Sequence, residues 1–312
     1  MPIDLAAAYS SARKLLGFNR KRRHHHVWQH YLSSWGTRGS VSCLMDDRIF
    51  SSGTIGLGVE SDFYRVKQIN REEIDFIETN IIDGSNEGAQ KIHNSFLSYY
   101  KIVSALYGKA TLTDDLLDLY GSNVLENFHS HIESEFMPLL AKLQCHDTSF
   151  YSSREGCINF FNYISHQYMR TKGIRAKTVA SLKTASGFDC SNVWPLISHM
   201  LSVNIGGALF VERHRRSLTI IDNRTSISFI TGDQPVINLA AKPDQKVETV
   251  SLFYPISPST AVLISEVDCA PLYDTASLDE GRVNELNKLI YENSYTQVYA
   301  DTPGALEIFK QR

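Results

Sequence analysis

The sequence has few cysteines and no paired cysteine motif. Its five cysteines, among 312 residues, are odd in number and widely separated, and no two form a C-x-x-C pair. A disulfide framework or a zinc ribbon is therefore not expected. Reduced thiols are the simpler interpretation, and they predict a cytoplasmic protein.

Long apolar segments are also missing. The first eighteen residues, MPIDLAAAYSSARKLLGF, include Asp4 and lack the apolar stretch of a signal peptide, although Asp4 can cap a short helix that ends near Gly17. The most apolar later stretch, from Val203 to Val211, is too short to span a bilayer. We therefore expect no membrane association.

Charge of one sign is not in excess. The chain has 31 Lys and Arg against 34 Asp and Glu, a formal net charge of −3. This balance argues against a protein that coats duplex nucleic acid through bulk charge, but it allows a local basic pocket for a phosphate or a strand. With 18 Gly and 9 Pro, the chain is not of low complexity.

The apolar spacing predicts an α+β fold in a single compact domain over residues 1–312. We expect an N-terminal helix and basic, histidine-rich segment (1–35), a β segment (36–70), a helical region (about 71–213) and a β-rich region with a final helix (214–312). The terminal segments should share a mainly antiparallel sheet on which the helical middle packs. The expected hairpins pair VSCLM with RIFSS, SLTIIDN with SISFITGD, and SLFYPIS with TAVLISE.

Familiar catalytic motifs are absent. The sequence contains no P-loop, no G-x-S-x-G elbow and no H-E-x-x-H. The segment HSHIESE invites a metal site, but on a helix His129 faces Glu133 and His131 faces Glu135. Side-chain pairs at this spacing commonly stabilise the exposed surface of a helix, and we favour that interpretation.

Some polar residues stand where local packing would not place them. Glu78 lies within the apolar stripe of REEIDFIETNII, either as a functional carboxylate or as a salt bridge at the margin. Gln167 and Arg170 share a helix face with Tyr163, either as a phosphate-binding pair or as a structural flank. Asp233 ends an apolar strand, a position typical of a functional carboxylate and equally of a turn cap.

Taken in order, these positions resemble a bacterial family of unknown function, DUF4238. Its opening motif reads roughly His-His-x-Val-Pro-x-x-Tyr-Leu, and RHHHVWQHYL is similar, with Trp28 at the usual Pro. The likeness continues through DFY at 62–64, the helix from Glu73 to Glu78, HQYMRT, FITGDQPV, FYPISP and the helix that contains Asn287. Gly232 stands where the family usually has Ser. Members resemble accessory proteins of bacterial and mobile genomes, which implies a defence or toxin setting.

Our first hypothesis is a nuclease-like hydrolase that cleaves phosphodiester bonds. The predicted catalytic residues are His24, His25, Glu78 and Asp233, and the predicted substrate-binding residues are Gln29, Tyr31, Gln167, Arg170 and Asn287. A divalent ion, Mg or Mn, would be held by His25, Glu78 and Asp233. The predicted partner is a nucleic acid or a nucleotide. The alternative is a sensor module that binds a nucleotide or a phage-derived ligand without turnover. A third interpretation is a buried polar network that only stabilises the fold.

Two further expectations follow from this hypothesis. The side chains of His25, Glu78, Arg170 and Asp233 should converge in one cleft, and residues 20–23 should form an electropositive approach to it. The substitution Asp233→Asn should remove activity and leave the fold intact.

Overall fold

Strands from the two ends of the chain meet in one antiparallel sheet. The protein is described here by a computed structural model that covers residues 20–107, 114–241, 249–267 and 278–310. The sheet has the order β3-β2-β10-β6, formed by β2 (Val41–Met45), β3 (Arg48–Ser52), β6 (Thr231–Gly232) and β10 (Val298–Ala300). In β10, Tyr299 lies opposite both Cys43 and Thr231. The predicted α+β fold with a shared terminal sheet is confirmed.

A second antiparallel sheet has the order β5-β9-β8-β7. Its strands are β5 (Arg216–Asp222), β7 (Ile237–Asn238), β8 (Leu252–Ser257) and β9 (Thr260–Glu266). The predicted pairing of β5 with SISFITGD is wrong, because β5 pairs with β9 along its whole length. The Asn223 side chain bonds to Thr225 and Ile227 in a local turn, and the chain then leaves this sheet for β6. The other two predicted hairpins are confirmed.

A two-stranded ribbon, which the sequence did not predict, carries the histidine segment. Strand β1 (Arg23–His25) pairs with β4 (Val59–Ser61), so that His24 lies opposite Glu60 and His25 opposite Val59. A one-turn helix, α1 (Gln29–Leu32), follows directly. Since residues 1–19 are outside the described part of the chain, the predicted N-terminal helix is too.

Helices occupy the middle of the chain, as the apolar spacing predicts. They are α2 (Arg71–Ile77, continued by a π-helical turn, Glu78–Ile82), α3 (Glu87–Leu106), α4 (Asp114–Gln144), α5 (Arg154–Met169), α6 (Lys172–Ser186) and α7 (Trp194–Val211). After the second sheet come α8 (Glu280–Asn293) and α9 (Gly304–Glu307). Side-chain caps fix several starts: Asn70 forms a capping box with Glu73, and Ser153 accepts from the Gly156 N–H.

Helix α7 is the most apolar of the described helices. By length and composition it could cross a membrane, yet 56% of it is buried inside the protein. It packs along α5, and its His199 Nδ1 lies 3.0 Å from His166 Nε2 on that helix. These contacts are those of a core helix.

Candidate functional site

A cleft of about 450 Å³ lies between helix α4 and the segment that follows β1. Two predicted site residues, His25 and Gln29, are in its wall. The full lining consists of His25, Trp28, Gln29, His30, Ser33, Thr54, Glu126, Ser130 and Glu133. The cleft brings two histidines and two carboxylates together beside predicted site residues, and we treat it as the candidate site.

Strand β1 directs its two histidines to different surroundings, because side chains alternate along an extended chain. His24 is buried, its Nδ1 accepts the Tyr64 N–H at 2.8 Å, and its Nε2 donates to the Lys21 carbonyl at 3.0 Å. Both ring nitrogens are thus used in holding the ribbon. His25 is only partly buried and reaches the cleft.

His25 is a neutral base with an open lone pair. Burial lowers its pKa, and the positive charges of Arg170 and Arg23 lower it further, while a hydrogen bond to the Ile55 carbonyl opposes the change. Its Nε2 is buried without a hydrogen-bond partner. A neutral imidazole has one N–H. The bond to Ile55 therefore assigns that proton to Nδ1 and leaves the lone pair on Nε2.

Helix α4 contributes three polar side chains from one face. Glu126, Ser130 and Glu133 follow the i, i+4, i+7 spacing that lines up residues along a helix. Ile132 and Phe136 of the same helix are buried in the core and hold it in place. The cleft side of α4 is therefore polar although the helix is largely a core element.

Glu126 is an acid that loses its proton only near neutral pH. Burial raises its pKa to about 7, and the Glu133 carboxylate adds to the rise, against the opposing charges of Arg170 and Lys21. One of its oxygens accepts the backbone N–H of His25, while Oε2 is buried without a partner. A carboxyl group that is partly protonated at neutral pH thus lies beside the chain segment that holds a neutral imidazole.

A buried ion pair supports the cleft from behind. Arg170 is 3% exposed and donates to Glu133 Oε1 at 2.6 Å and to Gln167 Oε1 at 2.7 Å. Gln167 in turn donates to the His26 carbonyl at 3.0 Å. These bonds connect α5, α4 and the segment after β1. The predicted direct contact of Gln167 and Arg170 with a phosphate is not what the structure shows, since both side chains are engaged within the protein.

Two of the four basic residues at positions 20–23 lie near the cleft. Lys21 is exposed and close enough to lower the pKa of Glu126, and Arg23 is close enough to lower that of His25. Arg20 and Arg22 instead face Asp62, at 3.0 and 4.0 Å. Lys21 and Arg23 therefore place positive charge near the cleft, although neither side chain lines it.

Asp233 anchors a turn and does not line the cleft. Its Oδ1 accepts the Tyr295 N–H at 2.6 Å. Its Oδ2 accepts the Thr296 N–H and hydroxyl, both at 2.8 Å, and the Gln297 N–H at 3.1 Å. A buried carboxylate that binds three successive backbone N–H groups holds the chain before β10 in shape.

Glu78 lies on the surface. Its side chain is 43% exposed and accepts from Lys101 Nζ at 2.7 Å. The salt bridge at the stripe's margin, one of the two interpretations of the sequence, describes this arrangement. The predicted convergence is therefore corrected: His25 and Arg170 meet at the cleft, whereas Glu78 and Asp233 have partners elsewhere.

Two other predicted substrate-binding residues are buried. The Tyr31 hydroxyl donates to the Pro255 carbonyl at 2.7 Å and lies 2.6 Å from the Thr231 hydroxyl. The Asn287 side chain bonds to the backbone of Ile230 and Ser228. Tyr31 joins the first part of the chain to the two sheets, Asn287 joins α8 to the segment before β6, and both are closed to a ligand.

The predicted metal ligands are likewise dispersed. Across residues 20–107, 114–241, 249–267 and 278–310, no group of three or more His, Cys, Asp or Glu side chains is placed to hold a metal ion. The set of His25, Glu78 and Asp233 is divided among the cleft, the α2 surface and the turn before β10.

A family model described as a protein of unknown function (DUF4238) matches residues 23–304, nearly the whole chain. The chain belongs to the DUF4238 family. No curated protein and no solved structure matches it.

The DUF4238 motif residues mostly build the support of the cleft. His24, Gln167 and Arg170 hold the ribbon and the back wall, and Asp233 holds the turn before β10. The departures from the motif have local reasons. Trp28, in place of Pro, packs edge-on against Tyr163 at 5.6 Å. At Gly232 the side chain of Ser294 fills the space that a Cβ would need.

The sequence did not indicate the two carboxylates of the cleft. Glu126 was not singled out, and Glu133 was assigned with His129 to a surface pair. That assignment is wrong for both members, because His129 is buried under Tyr64 and Glu133 binds Arg170. It holds for His131 and Glu135, which are exposed. The spacing of Glu126, His129 and Glu133, at i, i+3 and i+7, places all three on one helix face, and this pattern in the sequence indicates a polar cluster.

Proposed function

We propose that the protein is a nuclease-like hydrolase that cleaves RNA by general acid–base chemistry in the cleft. One observation carries the proposal: His25 Nε2 and Glu126 Oε2, a base and an acid in complementary protonation states, are both buried in this cleft without partners. Buried polar atoms are normally paired within the protein, so two unpaired ones at one cavity point to a missing ligand.

The proposed reaction uses each group once. His25 Nε2 removes the proton of a ribose 2′-hydroxyl, whose oxygen attacks the adjacent phosphorus. The bond from phosphorus to O5′ breaks, and Glu126 supplies the proton that the leaving oxygen takes up. The products are a 2′,3′-cyclic phosphate and a 5′-hydroxyl end, with His25 protonated and Glu126 ionised. Proton transfer of this kind contributes about 10²–10⁴-fold in rate.

RNA is favoured over DNA because its own 2′-hydroxyl is the nucleophile in this chemistry. Lys21 and Arg23 near the cleft provide positive charge that attracts phosphate groups, although Glu133 and Arg170 largely neutralise each other inside. A cytoplasmic location and a role as a toxin or defence protein belong to the same proposal, and Mg or Mn would assist only by screening the substrate's phosphates, since the acid–base step does not require a metal ion. Each is consistent with an enzyme that degrades cellular RNA.

The experiment uses a 5′-labelled single-stranded RNA, with EDTA in one arm and Mg²⁺ or Mn²⁺ in the others. We expect cleavage in all arms with 2′,3′-cyclic phosphate ends, and no cleavage of the 2′-O-methyl analogue. His25→Ala and Glu126→Gln should each lower the rate by about 100-fold. Glu78→Gln, which also neutralises a carboxylate but lies outside the cleft, is the matched control and should cleave normally.

Other outcomes would contradict the proposal in different ways. Cleavage that requires a metal ion and extends to DNA would replace the acid–base mechanism. A nucleotide that copurifies and binds at the cleft without turnover would favour the sensor module. Cleavage that survives both His25→Ala and Glu126→Gln would place the site elsewhere.

A further inference from the structure

Helix α6 has an unusual charge distribution. It carries Lys172, Arg175, Lys177 and Lys183 and no acidic residue. Lys172 binds Glu60 at 2.7 Å and Lys183 binds Asp189 at 3.5 Å. Arg175 lies over the ring of Phe63, with its guanidinium carbon 5.3 Å from the ring centroid. The helix therefore presents a cationic surface next to an aromatic side chain.

This surface is one wall of a groove, which we call the α6 groove. Its first part has a volume of about 350 Å³ and is lined by Glu60, Phe63, Lys172, Arg175, Ala176, Val179, Ala180, Ser191 and Tyr295. A second part of about 250 Å³ shares four of these residues and adds Arg65 and Lys67. The second part also includes Asp62, so the groove combines apolar side chains with four cationic residues and the two carboxylates of Glu60 and Asp62.

The α6 groove and the cleft flank the same two-stranded ribbon. Glu60 of β4 lines the groove and lies opposite His24, and the next residue of β1, His25, lines the cleft. Lys172 on the groove side is close enough to lower the pKa of His26, the residue after β1. A ligand several nucleotides long could therefore occupy both sites.

We propose that the α6 groove binds single-stranded RNA next to the segment that is cleaved. This inference rests on the proposed function of the cleft, and it names the class of substrate and a second contact surface. Tyr295 in the first part of the groove is 55% exposed, so a base can stack on it, while Arg175, which lines both parts, and Lys67 in the second part can contact phosphates. A recessed pocket between charged walls suits a base, whereas a membrane surface requires an apolar face that projects.

The test measures binding separately from cleavage. Fluorescence anisotropy with a labelled 12-nucleotide 2′-O-methyl RNA reports affinity for a strand that lacks the 2′-hydroxyl nucleophile. Arg175→Ala should weaken binding about tenfold. It should also reduce the slope of log affinity against log salt concentration by about 1, because one phosphate contact is lost. Lys183→Ala, which removes the same charge from the same helix outside the groove, should change affinity less than twofold.

A second pair of variants separates a loss of RNA binding from a loss of folding. Ala180 and Ala185 are both exposed on α6, but only Ala180 lines the groove. Glu is a good helix former, so Ala180→Glu and Ala185→Glu should unfold like the parent protein. We expect Ala180→Glu to weaken binding about tenfold and Ala185→Glu to have less than a twofold effect.

The outcomes separate this inference from the proposed function. Groove-dependent binding of the analogue without any cleavage of native RNA would uphold the groove and overturn the catalytic proposal. Cleavage dependent on His25 and Glu126, with Arg175→Ala and Ala180→Glu binding like the parent protein, would overturn the groove alone. Binding to phosphatidylserine vesicles, sensitive to both groove variants and not to RNA, would assign the groove to a membrane surface and also overturn it.

Discussion

Two buried carboxylates, Asp233 and Glu126, show how differently the same group is used in two regions of this protein. Asp233 accepts four hydrogen bonds from the turn before β10, so both of its oxygens are occupied. Glu126 keeps one buried oxygen unpaired, and burial raises its pKa to about 7. The first arrangement stabilises a turn, and the second holds a proton beside a neutral histidine.

The comparison teaches that family motifs and buried groups without partners need not coincide. Asp233 belongs to a motif that resembles the family signature, and both of its carboxylate oxygens are occupied by hydrogen bonds from the turn before β10. Glu126 belongs to none of the motifs, yet it lines a cleft and has a buried oxygen without a hydrogen-bond partner. Stability and reactivity therefore make opposite demands on a buried carboxylate, and mutations should separate them.

Removal of the Asp233 carboxylate should have the largest effect on stability. Asp233→Ala leaves three backbone N–H groups and a hydroxyl of the turn without their acceptor, and we expect a loss of about 5 kcal/mol in the free energy of unfolding. Asp233→Asn should also destabilise the fold, contrary to the expectation from sequence. Urea denaturation measures both. Asp279→Ala, which removes a helix cap with one N–H donor, should cost only about 1 kcal/mol, and equal losses would contradict this account.

Acid should destabilise the helical core through its buried histidines. Burial lowers the pKa of His129, His166 and His199, in the case of His166 to about 4. Below pH 6.5 the unfolded chain binds protons that the folded protein excludes, so stability is complete above that pH and falls as pH decreases. We expect a loss of about 4 kcal/mol between pH 6.5 and 5.

Urea denaturation at several pH values measures this loss, and a substitution assigns it. His166→Gln should make the pH dependence shallower, because one excluded proton is gone. His131→Gln, on an exposed residue of α4, is the control and should leave the pH dependence unchanged. A protein equally stable at pH 5 and pH 7.5 would contradict the prediction.

Glu126→Gln should have a smaller effect on stability, of opposite sign to that of Asp233→Ala. Because the folded pKa of Glu126 is raised, the folded protein holds a proton that the unfolded chain loses above about pH 4.5, and stability falls from there to about pH 7. Removal of the ionisable group should therefore stabilise the protein by about 2 kcal/mol at pH 8 and not at pH 4. Thermal unfolding at the two pH values measures the difference. Destabilisation at pH 8 would indicate that the ionised Glu126 has partners in the fold.

Local patterns in the sequence predict most of the architecture. Apolar spacing indicates the helices of the middle region, and short strand pairs around a tight turn indicate the β2–β3 and β8–β9 hairpins. The pairing of β5 with β9 is not local, since the two strands are separated by β6, β7 and β8. Such partners depend on which apolar faces meet in the folded protein.

The candidate site is less accessible to sequence analysis. His25 was predicted from its motif, but strand alternation alone decides that it, and not His24, reaches the cleft. Glu126 and Glu133 become distinctive only when α5 and the ribbon cover their helix face. Asp233 at a strand end has the same appearance in sequence whether its carboxylate is open or occupied, because its four donors lie more than sixty residues away.

The pH dependence of RNA cleavage tests the central claim most directly. His25 must be neutral to accept a proton and Glu126 must be protonated to donate one, so kcat/KM should rise as His25 loses its proton below pH 6.5 and fall again above about pH 7. In Glu126→Gln the rate should be about 100-fold lower, and the decrease above pH 7 should disappear. A rate that continues to rise from pH 7 to 9, or a Glu126→Gln variant that retains the decrease, would contradict the assignment of Glu126 as the acid of the cleft.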